Sequence, residues 1–235
     1  RIRLREPLRE LPDGVPVVLA TGGFQAGRDL VRSHVTREAD CLFLRTTDRS
    51  VGDGLRLALA AGARTSAGMD EIYGRNMPAP PARLGERDYV PVAQLYGRHA
   101  TIRNVNGDSF EVQTWSEIDV VQWTARQPRA RATYTVPVAR LGERVGTRTV
   151  GEMIAGAERA GGVVRQVNGR VEVEVVAGIT TTLGGLAVDA TARAAEGVYA
   201  AGSDVGGIAT GGYASGLAAA LVLGRIAAAS ALKAS

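Results

Sequence analysis

The stretch that decides the fold is residues 197–217, which read GVYAAGSDVGGIATGGYASGL. The apolar run 197–201 is typical of a buried strand, and it stops at Gly202. A loop with two pairs of glycines follows, and an apolar helix opens at Tyr213. A helix N-terminus has free N–H groups and a partial positive charge, and glycines beside it let a ring or a phosphate reach the backbone. The pattern predicts either a ligand site at this turn or a small-residue helix packed on a sheet.

A second strand and turn occur near the start of the chain. The continuous apolar run 15–20 ends at Thr21-Gly22-Gly23, which predicts a buried parallel strand. Ligands of open α/β sheets bind at the carboxyl ends of such strands. Further along, Gly52-Asp53-Gly54 precedes a predicted helix over 55–61, with Asp53 as its cap and Gly62 at its end. Taken alone, the Thr21-Gly22-Gly23 turn is weak support for a ligand site, since many strands end in glycine turns.

The middle of the chain differs in its sequence pattern from both ends. The last sixty residues of the chain again show short apolar runs that end at glycine turns, as the first residues do. The elements predicted for the middle are strands over 90–95 and 100–105, helices over 115–126 and 149–160, and hairpins turning at 106–107 and 168–169. We therefore predict an α/β protein in which one domain, residues 1–75 and 176–235, is interrupted by a smaller α+β domain, residues 76–175.

Composition narrows the class of partner. The net charge is +4, and Arg dominates because Lys233 is the only lysine. The charges form no block interleaved with aromatic residues, so a nucleic-acid role is not indicated, whereas an anionic cofactor or substrate suits the surplus. The bias towards Arg, Ala and Gly resembles that of high-GC bacterial sequences.

Cysteine content and hydropathy limit compartment and site type. The single cysteine, Cys41, excludes an internal disulfide and a cysteine-rich zinc site, and no metal site is predicted. We expect Cys41 to be a buried thiol in a reducing, cytoplasmic setting. Residues 213–232 are apolar, but Arg225 interrupts them and Ala and Gly predominate, so we predict a buried helix and no membrane span.

Several motifs, in this order, resemble the fumarate reductase/succinate dehydrogenase flavoprotein superfamily, which includes the 3-ketosteroid and tricarballylate dehydrogenases. The motifs are Ala20-Thr21-Gly22-Gly23-Phe24, Gly52-Asp53-Gly54, Thr182-Leu183-Gly184-Gly185, Gly197-Val198-Tyr199-Ala200-Ala201-Gly202, Gly211-Gly212-Tyr213 and Leu223-Gly224-Arg225-Ile226. The resemblance spans nearly the whole chain and is thinnest between 75 and 170.

The resemblance implies FAD as the cofactor, a partial Rossmann-like FAD-binding domain interrupted by a smaller α+β cap, and a small-molecule substrate between cap and flavin. The residues that it places against FAD are Ala20, Thr21, Gly22, Gly23, Gly202, Ser203, Asp204, Gly211, Gly212, Tyr213, Gly216 and Leu217. Asp204 stands one position away from the family's glutamate, whose carboxylate meets the ribityl or ribose hydroxyls, and its side chain is shorter.

Two features of the superfamily are absent from the sequence. No Gly-x-Gly-x-x-Gly with a downstream acidic residue occurs, so the pyrophosphate site is predicted to lie in an N-terminal FAD-domain segment missing from this chain, and the chain alone is expected to bind FAD poorly. The arginines and histidine with which dicarboxylate reductases hold their substrate are replaced at four positions, one of them within Thr180-Thr181-Thr182. We therefore expect a substrate other than fumarate or succinate, either uncharged or differently charged.

The candidates for proton chemistry are Tyr213, His99 and Arg126. Tyr213 resembles a tyrosine that serves the steroid dehydrogenases, although a packing role accounts for it too. The sequence favours His99 as an exposed hairpin residue and Arg126 as a solvated charge over a catalytic role for either. The predicted function is an FAD-dependent dehydrogenase or reductase that exchanges a hydride between a carbon substrate and flavin N5. The alternative is an incomplete or non-catalytic flavoprotein piece that only binds a cofactor or partner. A disulfide reductase relative is disfavoured by the single cysteine.

Overall fold

The structure is a computed structural model that describes residues 8–111, 116–208 and 215–234. The chain divides into two compact units. Unit 1 consists of Arg1–Gly27, Arg49–Glu71 and Thr182–Ser235, and unit 2 of Arg28–Asp48 and Ile72–Thr181. Each unit is thus built from separated stretches of sequence. This division differs from the predicted boundaries chiefly at 28–48, which we placed with the first domain.

The helices and strands of the described residues are short, apart from one strand and one helix. The strands are β1 (Val17–Leu19), β2 (Phe43–Leu44), β3 (Ile72–Pro78), β4 (Thr101–Arg103), β5 (Arg131–Pro137), β6 (Arg144–Val145), β7 (Arg148–Thr149), β8 (Val164–Val167), β9 (Arg170–Thr182), β10 (Arg193–Ala195) and β11 (Val198–Ala200). The helices are α1 (Arg28–His34), α2 (Asp53–Ala60), α3 (Glu117–Ala125), α4 (Val150–Arg159) and α5 (Ser215–Ala234). The protein is therefore a mixed α/β structure with several sheets, as the sequence predicts.

Unit 1 contains a sheet in the order β1-β11-β10. β1 and β11 are parallel, with Val17 opposite Val198 and Leu19 opposite Ala200. The strands predicted over 15–20 and 197–201 are therefore present, and they are neighbours. The apolar residues 186–188 also favour a strand by sequence, but none forms there: Leu186 makes only isolated bridges.

Helix α5 packs on this sheet through small side chains. Ala227 and Ala231 form a buried cluster with Ala192 and Tyr199. Leu223 and Ile226 are partly buried against this cluster, but most of the helix is exposed: only 17% of Gly216–Ala234 is buried, although it is long and apolar enough by composition to cross a membrane. The expectation that the whole helix is buried is therefore wrong within this unit. A single helix of this kind is weak support for a membrane span, because core helices of soluble proteins can be equally long and apolar.

Helix α2 begins and ends at glycines. Gly52 occupies the N-cap position with φ of 92°, and no side chain caps the helix. Asp53 is the first helical residue, so its predicted role as cap is wrong; the left-handed backbone at this position favours glycine. Gly62, with φ of 88°, follows the helix as predicted.

The main sheet of unit 2 has the order β2-β9-β5-β4, and β3 and β8 also pair with β9. The predicted hairpin around Asn168-Gly169 joins β8 to β9, and both turn residues have positive φ, as a type I′ turn requires. At Asn106-Gly107 the chain also reverses, but up to residue 111, where the described stretch ends, the strands form a single bridge, Arg103 to Ser109.

Two helices of unit 2 lie where the sequence places them. Helix α3 is capped by Ser116, and α4 begins with a capping box between Thr149 and Glu152. Two other expectations are wrong. Residues 90–95 form no strand: 90–92 lie in a turn and 93–95 have no regular secondary structure, and Pro91 removes a backbone donor. Cys41 is exposed, at the end of a short 3-10 helix on the surface.

Candidate functional site

Two glycine turns meet at one end of the sheet in unit 1. Because β1 and β11 are parallel and in register, the residues that follow them leave the sheet at the same edge. The first turn holds Thr21, Gly22 and Gly23, and the second is a 3-10 turn over Gly202–Asp204. The Ala201 N–H donates to the Leu19 carbonyl at 2.9 Å, which continues the strand pairing up to both turns.

The carboxylate of Asp204 joins the two turns. Asp204 is 1% exposed. Its Oδ2 accepts from the Thr21 N–H, and its Oδ1 accepts from the Thr21 hydroxyl at 2.8 Å and from the Gly23 N–H at 3.0 Å. The Thr21 hydroxyl in turn accepts from the Gly54 N–H at 3.2 Å, which ties the start of α2 to the same point. Asp204 therefore positions the first turn; its contact with cofactor hydroxyls stays a prediction, and both oxygens already accept hydrogen bonds within the protein.

A pocket of about 310 Å³ opens beside these turns. It is lined by Val18, Ala20, Gly22, Ala201, Gly202, Ser203, Ala220 and Gly224. A Cβ added at Gly202 would meet only the Ala220 side chain, at 3.8 Å, and one added at Gly224 would meet nothing within 4 Å. The absence of side chains at these two positions thus leaves open space in which a ligand can lie against the backbone.

Two larger pockets in unit 1 lie away from the two glycine turns. One, of about 530 Å³, is lined by residues 11–17 and 193–199, at the amino ends of β1 and β11. The other, of about 550 Å³, is lined by Arg64 and by residues 187–189 and 193–196. Ligands of open α/β sheets bind at the carboxyl ends of the strands, so we take the smaller pocket, between the two glycine turns, as the candidate site.

Four predicted cofactor residues line this pocket, and others do not. Ala20, Gly22, Gly202 and Ser203 line it, while Thr21, Gly23 and Asp204 build the hydrogen bonds beneath it. The remaining predicted residues are Gly211, Gly212 and Tyr213, which lie outside the described residues, and Gly216 and Leu217, which lie exposed in the first turn of α5. Helix α5 contributes Ala220 and Gly224 to the wall, two positions that were not among the predicted cofactor residues.

The other candidates for proton chemistry lie in unit 2. His99 ends a 3-10 helix, with its Nδ1 3.5 Å from an Arg140 nitrogen and its buried Nε2 without a hydrogen-bond partner in the described part of the chain. Burial is the main cause that lowers the pKa of His99, and Arg98 and Arg140 act in the same direction while Glu143 opposes them. His99 is therefore mostly neutral near pH 7.

Arg126 follows the last residue of α3 and donates to the Gln122 carbonyl at 3.3 Å. Its side chain is exposed. The catalytic roles of His99, Arg126 and Tyr213 stay predictions.

Glu117, at the start of α3, is a titratable group that sequence reasoning missed. Its Oε1 accepts from the Gly97 N–H at 3.1 Å. Burial raises the pKa of Glu117 to about 7, against the opposing effects of that hydrogen bond and of Arg75 and Arg98. Glu117 in turn adds to the raised pKa of the buried Tyr96 and Tyr134. The only sequence signal was an acidic residue in the first turn of an apolar helix.

Comparison with known structures gives the same fold for about half of three larger flavoenzymes. The match to a flavocytochrome c3 fumarate reductase in its open conformation covers 93% of this chain and 46% of the reductase chain (TM-score 0.57, 19% identity). The match to the 3-ketosteroid delta1-dehydrogenase from Sterolibacterium denitrificans covers 93% of this chain and 53% of the dehydrogenase chain (TM-score 0.65, 17% identity). For the 3-ketosteroid-delta4-(5alpha)-dehydrogenase from Rhodococcus jostii RHA1 the values are 92% and 52% (TM-score 0.54, 16% identity). At these identities the likeness shows the fold alone.

In sequence, no curated protein matches the chain. Residues 14–217 match the family described as FAD binding domain, a match that includes both glycine turns and most of the sequence. The resemblance to the fumarate reductase/succinate dehydrogenase superfamily is thereby confirmed. The chain belongs to the FAD binding domain family, and its cofactor is FAD.

Proposed function

We propose that this chain works in an FAD-dependent oxidoreductase, in which unit 1 holds part of the cofactor between the two glycine turns and α5. The observation that carries the proposal is the pocket at the carboxyl ends of β1 and β11, with walls of small residues from all three elements. The family match and the flavoenzyme folds that the chain resembles support the same function.

The pocket fits a planar ring or a phosphate better than a bulky apolar ligand. Gly202 and Gly224 carry no side chain and leave space against the backbone, so a flat ring or a small anionic group can approach it closely. When bound, FAD supplies the hydride acceptor or donor at its N5 atom. The residues of this chain hold and orient it: Asp204 fixes Thr21 and Gly23, and α5 closes one side.

We propose a small-molecule substrate that is not fumarate or succinate. This rests on the replacement of the superfamily's carboxylate-binding arginines and histidine at four sequence positions. The reaction class that we propose is hydride exchange between a substrate carbon and the cofactor. Loss of the oxidised-flavin absorbance band on anaerobic addition of a substrate to the chain with FAD supports this class. Bound FAD that no candidate saturated ketone or carboxylic acid reduces favours a binding-only piece.

The position of the cofactor is tested by filling the pocket. Gly224→Leu adds a side chain where a Cβ meets nothing within 4 Å, so we expect the fold to persist while the affinity for FAD falls at least about tenfold, or about 1.4 kcal/mol. The matched control is Ala228→Leu, exposed on the same helix and outside the pocket lining. Affinity is measured by quenching of FAD fluorescence. Equal affinity of the two variants contradicts the proposed position.

A further inference from the structure

Two arginines of unit 2 lie close together without a carboxylate partner. Arg45 directly follows β2, and its N–H donates to the Ile179 carbonyl of β9 at 2.8 Å. Arg75 lies in β3, which also pairs with β9. Within the described ranges, neither side chain forms an ion pair, whereas Arg131 and Arg165 of the same unit share Glu174.

A pair of glycines brings the two arginines together. A Cβ on Gly74 would lie 1.9 Å from the Gly178 carbonyl oxygen, so β3 and β9 approach here at a distance that only glycine permits. A Cβ on Gly178 would lie 2.5 Å from Cδ of Arg45 and 2.8 Å from the carbonyl oxygen of Arg75. The stem of Arg45 therefore occupies the space above Gly178, beside the backbone of Arg75.

Both guanidinium groups are held in place by neutral partners. Arg45 donates from Nη1 to the Thr180 hydroxyl at 2.8 Å and from Nη2 to the Tyr89 carbonyl at 2.6 Å. Its buried Nε has no partner in the part of the chain that the structure describes. Arg75 lies 4.7 Å from the centre of the Tyr73 ring and donates to the Tyr73 hydroxyl at 3.1 Å. A guanidinium has five N–H donors, so each arginine keeps donors for a ligand.

Among the residues of unit 2 that the structure describes, no carboxylate forms an ion pair with either arginine. Burial first, and the neighbouring Arg75 second, lower the pKa of Arg45 to about 10. Glu117 interacts electrostatically with Arg75 but forms no ion pair with it. Burial raises the pKa of Glu117 to about 7. Near neutral pH this carboxyl is therefore only partly ionised. Buried charges in proteins are normally paired, so two half-buried cations with fixed geometry favour an anion as their missing partner.

We propose that Arg45 and Arg75 form a binding site for a small carboxylate ligand. The planar fork of a guanidinium matches the two oxygens of a carboxylate. The Thr180 hydroxyl accepts from Arg45, so its own proton is available for the same ligand. The site lies within unit 2 and does not depend on whether unit 1 holds FAD. Neither arginine was singled out from the sequence, since the register of β2, β3 and β9 brings them together.

The site is tested by titrating the isotope-labelled full chain at constant ionic strength with acetate, succinate and inorganic phosphate, with acetamide as the uncharged analogue. The readout is the arginine Nε–Hε NMR signals. We expect saturable shifts with a carboxylate and none with acetamide. Arg45→Met and Arg75→Met each weaken binding at least about tenfold. The control Arg165→Met removes a charge of the same sign from a side chain that is 58% exposed and paired with Glu174, and leaves the affinity within about twofold.

Arg45→Lys separates loss of the site from loss of folding, because it keeps the aliphatic stem over Gly178 and the positive charge but removes the planar guanidinium. Binding that is lost in Arg45→Lys, with an unchanged circular dichroism spectrum, supports the site. Absence of saturable binding by any carboxylate, or an equal loss in Arg165→Met, overturns the proposal. A preference for phosphate of about tenfold or more overturns the assignment to carboxylates.

Discussion

Asp204→Ala is expected to destabilise unit 1 by about 2–4 kcal/mol. The carboxylate is 1% exposed and accepts from the Thr21 N–H, the Thr21 hydroxyl and the Gly23 N–H. Truncation leaves buried donors without partners, and hydrogen bonds to a charged group contribute more than neutral ones. Asp204→Asn keeps the shape but turns an N–H₂ group towards these donors, so we expect it to be destabilising as well.

The effect is measured by hydrogen exchange of peptides that cover residues 17–23 and 198–204, since faster exchange there reports loss of the turn structure. Asp13→Ala, an exposed aspartate of the same unit, serves as the control and should change the exchange little. Unaltered protection of both segments in Asp204→Ala would show that the carboxylate does not hold the two turns together.

Glu117 is expected to make the stability of unit 2 depend on pH. Burial raises its pKa from the ordinary 4.5 to about 7, so between these values the folded state binds more protons than the unfolded state. Stability is therefore highest where Glu117 is protonated and falls as the pH rises through about 7. Glu117→Gln stays neutral and keeps an oxygen for the Gly97 N–H. We expect it to gain about 2–3 kcal/mol over the wild type near pH 8 and about nothing near pH 4.

Urea unfolding followed by tryptophan fluorescence measures this, because Trp123 packs against the core of unit 2. Glu158→Gln, at an exposed position of α4, is the matched control and is expected to follow the wild-type dependence. A Glu117→Gln variant whose stability falls with pH as steeply as the wild type would show that another group titrates.

Local signals in the sequence predicted the elements whose chemistry is local. The apolar runs before Thr21 and Gly202, the Asn168-Gly169 turn and the Thr149 capping box all have their cause within a few residues. Strands β3 and β5 were missed, because their alternation is mixed with arginines and their pairing partners lie far away in sequence. The apolar sequence of α5 predicted burial, but hydropathy does not say which surface covers a helix.

The site shows the same division. The two turns were predictable, since each follows a strand and contains glycine. The role of Asp204 was not, because its bond to Thr21 joins residues 183 positions apart and depends on the register of β1 and β11. The Arg45–Arg75 pair depends likewise on how β2 and β3 meet β9. Sequence patterns give the elements, whereas contacts between neighbouring strands decide which side chains meet.

The central claim is that FAD lies at the carboxyl ends of β1 and β11. NMR mapping of backbone amides during titration with FAD tests it most directly, since mapping works even for the weak binding expected of a chain without the dinucleotide fingerprint. We predict the largest shifts at Gly22, Gly202, Ser203 and Ala220. Shifts confined to residues 11–17 and 193–199, at the opposite ends of the same strands, or to unit 2, would contradict the account.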